Sequence, residues 1–154
     1  MSSDQETFRK LAVESRFLEE AATELQSRIS MTNAALAELR VSSMTLEGLG
    51  EEKKGSQLFV PIGGGSYVKA RLESAEKVVV GIGADVAIEK SVKKAKEELE
   101  TRISELEKTR EALGQQFNQV IEKIQENRGK LENISAKLRE EEKGGGVRKA
   151  KKGA

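Results

Sequence analysis

Two long runs of apolar residues recur at alternating spacings of three and four. No other feature so constrains what this 154-residue chain can fold into. In the first run Phe8, Ser15, Ala22, Ile29, Leu36 and Ser43 form one row, and Leu11, Leu18, Leu25, Thr32, Leu39 and Leu46 form its partner. In the second run Val92, Leu99, Leu106, Leu113, Val120, Asn127 and Ile134 face Lys96, Ile103, Arg110, Phe117, Ile124, Leu131 and Leu138. A period of 3.5 held this long describes coiled-coil helices, whose apolar stripe is a narrow seam. Ser3 followed by Glu6 reads as a capping box, and Gly48 and Gly50 as a stop, so the first helix is predicted over 5–47. Ser91 is a plausible N-cap for a second helix over 91–142, ahead of Gly144-Gly145-Gly146. Lys96, Arg110 and Asn127 put polar groups on the seam, where such residues fix register at a cost in stability. Gly114 and Gly129 each weaken the second helix by about 1 kcal/mol relative to Ala, a wobble that a long helix tolerates; the alternative is that Gly129 loosens the far end to suit a partner.

One chain with two such helices folds back on itself most simply, which makes the pair antiparallel. At 1.5 Å per residue the helices are about 60 and about 80 Å long. Pairing them from the insert outward sets Leu46 near Val92 and Gln5 near residue 133. Ile134 and Leu138 would then project beyond the first helix. Composition agrees with a thin seam: aromatic residues make up 3% of the chain and charged residues 34%, too little bulk for a thick core.

Residues 57–90 break the helical pattern. Gln57–Ile62 and Ser66–Leu72 are rich in β-formers and flank Gly63-Gly64-Gly65; Lys77–Gly81 and Val86–Glu89 repeat the arrangement around Gly83-Ala84-Asp85. Both read as β-hairpins. Pro61 lacks an N–H, so its strand belongs at an edge, an end or a bulge. Four short strands cannot form a stable sheet core alone. Leu58, Val60, Val68, Val78, Val79, Val80, Ile82, Val86 and Ile88 are therefore expected to pair with the same region of other chains, joining an oligomeric β-barrel that removes open edges. The expected class is α+β: a long antiparallel two-helix coiled coil with two β-hairpins at one end.

Little in the chain offers chemistry. It has no Cys and no His, which excludes disulfides, Cys/His zinc sites and Cys- or His-based nucleophile pairs. Gly63-Gly64-Gly65-Ser66 lacks the Lys-Ser/Thr of a phosphate loop. The run from Gly81 to Val86 lacks the third glycine of a dinucleotide fingerprint and its following helix. We expect no enzyme, no cofactor and no metal. Net charge is +1, but Lys143, Arg148, Lys149, Lys151 and Lys152 concentrate base at the C-terminus; the remaining body holds 22 basic against 26 acidic residues. That body suits duplex DNA poorly, and no nucleic-acid partner is expected. No apolar run has the length of a signal peptide or a membrane span. The tail over 143–154 is expected to be disordered, its charge serving solubility or contact with an acidic partner.

The stretch LFVPIGGGSYVKARL (58–72), then KVVVGIGADVAIEK (77–90), between two heptad helices, resembles the α-class subunits of the prefoldin family, of archaeal type, over about residues 5–142. The double hairpin distinguishes that class from β-class subunits, which carry one. The resemblance implies a hexamer of two α and four β subunits on a double β-barrel platform with six coiled-coil arms. It also implies ATP-independent capture of non-native polypeptides, delivery to a group II chaperonin, and a cytoplasmic location. Such a holdase needs apolar groups at the arm ends on a charged, soluble body, where several arms multiply weak contacts. Candidates are Phe8, Leu11, Phe17, Leu131, Ile134 and Leu138; each can instead pack in the seam, and the client role requires only that the last turns open or fray. The alternative is an oligomeric coiled-coil scaffold or tether that binds no client.

Overall fold

The computed structural model describes the backbone of residues 2–152 and the side chains of residues 2–146. In chain order the elements are helix α1 (Ser3–Glu51), strands β1 (Gln57–Gly63), β2 (Ser66–Arg71), β3 (Lys77–Gly83) and β4 (Val86–Ser91), and helix α2 (Val92–Lys152). The chain divides into two compact units. One is Met1–Met31 with Glu111–Ala154; the other is Thr32–Arg110.

In the first unit the early part of α1 lies beside the later part of α2. Ala22, Leu113, Ile124 and Asn127 are buried. Phe8, Leu11, Ser15, Leu18, Leu25 and Ile29 of α1 are half-buried, as are Phe117, Val120, Leu131, Ile134 and Leu138 of α2. The heptad rows are thus the covered rows, because only that stripe of each helix faces the other. The α1 cap lies one residue before the sequence expectation. The Ser2 amide donates to Gln5 Oε1 (3.1 Å) and the Gln5 amide to Ser2 Oγ (3.3 Å). This reciprocal pair is a capping box with Ser2 as N-cap.

At its other end α2 runs through Gly144-Gly145-Gly146 to Lys152 instead of stopping near Glu142. Each Gly costs about 1 kcal/mol, but extending an existing helix fixes one residue per new hydrogen bond and needs no new nucleus. The expected disordered tail therefore falls largely within this helix; its last two residues lie outside those described.

The second unit carries the hairpins. Leu36 and Ala95 are its buried apolar residues, flanked by half-buried Leu39, Leu46, Leu99, Ile103 and Leu106. Two ion pairs show the helices antiparallel here: Arg40 with Glu107 at 2.6 Å, and Glu47 with Lys96 at 3.8 Å. The second pair sets Glu47 level with Lys96, so Leu46 lies about a helical turn further along α2 than the expected neighbour Val92. The cause is that α1 passes through Gly48 and Gly50 to Glu51. A tight turn follows, closed by the Ser56 amide donating to the Lys53 carbonyl at 3.0 Å, in which Gly55 takes a φ of +87° that favours glycine. Arg110, expected on the seam, is exposed; its guanidinium is costly to bury unpaired. Ser91 caps α2 as expected, its Oγ accepting from the Lys94 amide at 3.1 Å.

Candidate functional site

The two hairpins are separate two-stranded antiparallel sheets, β1 with β2 and β3 with β4. They repeat each other with an offset of 20 residues, down to the irregularity. In each, one residue before the turn lacks a cross-strand partner, Ile62 in the first and Ile82 in the second. Each such bulge bends its strand. The turns, Gly64-Gly65 and Ala84-Asp85, have positive φ at both central residues, the two-residue type that matches strand twist. Pro61 sits opposite Tyr67 beside the first bulge, as its missing N–H requires.

The pairing collects most of the expected assembly residues on one face of each hairpin. Val60 lies opposite Val68 and Leu58 opposite Ala70; Val80 lies opposite Ile88 and Val78 opposite Lys90. Val78 and Val80 are half-buried and line an open groove of about 830 Å³ with Val41 and Leu46 of α1 and Ala95 and Leu99 of α2. One side of β3 is thus turned toward the chain's own helices. Its other side carries Val79, 72% exposed. Val78-Val79-Val80 is a continuous apolar run and so needs cover on both faces of the strand; the unit itself attends to one.

Leu58 is half-buried, while Val60, Val68, Ile82, Val86 and Ile88 are exposed. Phe59, Ile62 and Tyr67 are also exposed, although they were not among the residues expected to pair with other chains. Alternation along β1 carried the signal: Phe59 and Pro61, with Tyr67 opposite, form the reverse face of Leu58 and Val60. Lys90 and Glu98 also line the groove beside β3, and the Lys90 ammonium donates to Glu98 Oε2 at 2.6 Å. That hydrogen bond, with the nearby positive charges of Lys90, Lys94 and Arg102, holds the Glu98 carboxyl below its usual pKa.

In the first unit the six expected client-binding residues divide. Phe8, Leu11, Leu131, Ile134 and Leu138 are half-buried on the seam. Phe8 lines a shallow groove with Leu131, Ser135, Ala136 and Arg139, so α1 reaches far enough to cover the stretch expected to project. Phe17 is 67% exposed on the outer surface of α1. Val13, 56% exposed and four residues away, lies with it among Leu18, Ala21 and the stems of Arg9 and Lys10. Val13 was not among the expected candidates, although its i, i+4 spacing to Phe17, off both heptad rows, is plain in the sequence.

Among the described residues no group of His, Cys, Asp or Glu could hold a metal ion, and no helix is long and apolar enough to cross a membrane. Glu126 also has its pKa lowered, first by a hydrogen bond from Lys130 and then by the charge of Lys123. Both shifted carboxylates are thus held ionised by lysines, which suits ion pairing and not proton transfer.

Comparison with known proteins gives one answer. The family model described as "Prefoldin subunit" matches residues 18–137. The prefoldin subunit alpha of Thermofilum pendens is 32% identical over 117 residues, spanning 76% of this chain and 91% of that protein. That of Pyrococcus horikoshii is 31% identical over 147 residues, spanning 90% of this chain and 99% of its own. Among solved structures, filamentous PFD from Methanocaldococcus jannaschii aligns with a TM-score of 0.64 at 29% identity, covering 73% of this chain and 94% of that one. Prefoldin has a chaperone-type, non-enzymatic role, and its alpha subunits form oligomeric complexes with other prefoldin subunits. Two heptad helices, a repeated double hairpin and these alignments together make the chain a member of the prefoldin family, in its α-subunit class.

Proposed function

We propose that this chain is the α subunit of an ATP-independent holdase, built with β-class subunits as a hexamer of two α and four β in the cytoplasm. It captures non-native polypeptides through the first unit and passes them to a group II chaperonin. The observation that carries the reading is the state of the hairpins: two separate two-stranded sheets with open edges and exposed Val79, Phe59, Ile62 and Tyr67. Isolated two-stranded sheets are marginal in water, and open apolar edges invite aggregation, so strands from other subunits are the natural cover. The charged outer surfaces of the helices keep such an assembly soluble. Client contacts fall to the exposed Val13 and Phe17 and to seam residues Phe8, Leu11, Leu131, Ile134 and Leu138 when the pair opens.

The test is native mass measurement of the full chain with and without a β-class prefoldin subunit, followed by suppression of aggregation of a denatured client. A two-plus-four complex that protects the client is expected. A stable monomer unaltered by the partner removes the assembly role; a complex that protects nothing leaves a scaffold. A second reading, self-assembly into a filament, is favoured by the structural likeness to filamentous PFD. Growth of the isolated chain into long particles would select it.

A further inference from the structure

The seam of the first unit holds one layer that does not fit a coiled coil. Asn127 is wholly buried, and neither atom of its amide group has a hydrogen-bond partner. Ser15, on the facing row of α1, has its hydroxyl buried and equally unpaired. The antiparallel arrangement brings the two to one level. Phe8 lies against the stretch of α2 from Leu131 to Arg139. Seven residues along α1 from Phe8 is Ser15, and seven residues back along α2 from Ile134 is Asn127. Buried polar groups without partners are among the most destabilising features a small seam can hold. Gly129, two residues from Asn127, weakens the helix at the same place. Apolar layers lie on both sides: Ala22, Leu113 and Ile124 toward one, Phe8, Leu131 and Ile134 toward the other.

We infer that the Ser15–Asn127 layer is a built-in breakpoint. The helix pair opens there as a step, freeing residues 3–14 of α1 together with residues 128–142 of α2, while the seam around Leu113 and Ile124 stays closed. Fraying would instead decline smoothly from the helix ends. The opening exposes Phe8, Leu11, Leu131, Ile134 and Leu138 as a set, which turns seam residues into contact residues. This last consequence rests on the holdase reading; the breakpoint itself does not.

The experiment is amide hydrogen exchange, read by mass spectrometry, on the full chain and on the variants Asn127→Leu and Ser15→Ala. In the unmodified chain the amides of 6–14 and 128–142 should exchange at one shared rate, at least about a hundredfold faster than those of 113–124. Asn127→Leu should slow the outer set by about tenfold or more, and Ser15→Ala by a few-fold, with the inner set unchanged. Ser15→Ala guards against a Leu that packs badly, because it removes the polar atom and adds no bulk. A smooth gradient with no step at the layer overturns the inference, as does an outer set whose rate neither variant slows. Client protection is measured on the same variants. Slowed exchange with full protection leaves the breakpoint standing and moves client capture to the exposed Val13–Phe17 surface; slowed exchange with weakened protection ties capture to the opened seam.

Discussion

Replacing Leu36 by Ala tests whether a seam this narrow behaves like a core. Leu36 is 1% exposed and is the largest fully buried apolar side chain among the described residues. The change deletes three carbons. At about 0.8 kcal/mol per buried methylene the transfer loss is about 2.4 kcal/mol. A cavity term adds to this, and Leu→Ala costs range from about 2 to about 5 kcal/mol. The other leucines of this unit's seam are half-buried, so a thin seam can close on the gap, and the lower part of that range applies, about 3 kcal/mol. For a chain of this size that is a loss of roughly 6–12 °C in Tm. The matched control is Val41→Ala, on the same helix but 63% exposed, which should stay within about 0.5 kcal/mol. Far-UV circular dichroism during thermal and urea unfolding, at fixed protein concentration and on the same assembly state, reads both. If Leu36→Ala and Val41→Ala shift the midpoint equally, burial does not govern the seam and the heptad argument fails.

Ala84→Gly should stabilise the second hairpin by about 0.5–1 kcal/mol, because Ala84 holds a φ of +49° that costs any residue with a Cβ; a lower Tm would show the turn to be unstrained. Val79→Lys puts a charge on the exposed side of β3 and should abolish assembly with a β-class subunit in native mass spectra while leaving helix content unchanged; retained assembly would show that this surface is not covered by a partner. The Glu98 pKa is lowered in the folded chain by its hydrogen bond from Lys90, so its stabilising contribution is present above the ordinary carboxylate pKa. That contribution is lost as pH falls through the lowered folded value. Glu98→Gln should therefore reduce the acid-side loss of stability in urea titrations run between pH 6 and pH 3, and an unchanged pH profile would count against the pair.

The helices and their seam were legible because a period of 3.5 leaves one stripe to cover. Every heptad residue named from the sequence is half-buried or buried except Arg110. The hairpins were legible from glycine turns and valine strands. Helix ends were not. Gly48, Gly50 and Gly144–Gly146 read as stops, yet each lies inside a helix. Local propensity is a small term that an established helix absorbs. In the first unit Phe8 lies against the stretch of α2 from Leu131 to Arg139, so Ile134 and Leu138 are covered residues. Exposure was the least legible property. Among the six expected client residues only Phe17 stands out from the surface, because the other five lie on the heptad rows that pack.

If the hairpins join other subunits as proposed, their 20-residue duplication gives the chain two linking hands, each sheet having an open edge on either side. Chains of that kind link onward until strand twist brings the last edge back to the first, and otherwise do not stop. A relative that contributes a single hairpin would act as a terminator. The molar ratio at which the two are made would then set whether growth ends in a closed ring or runs on as a thread.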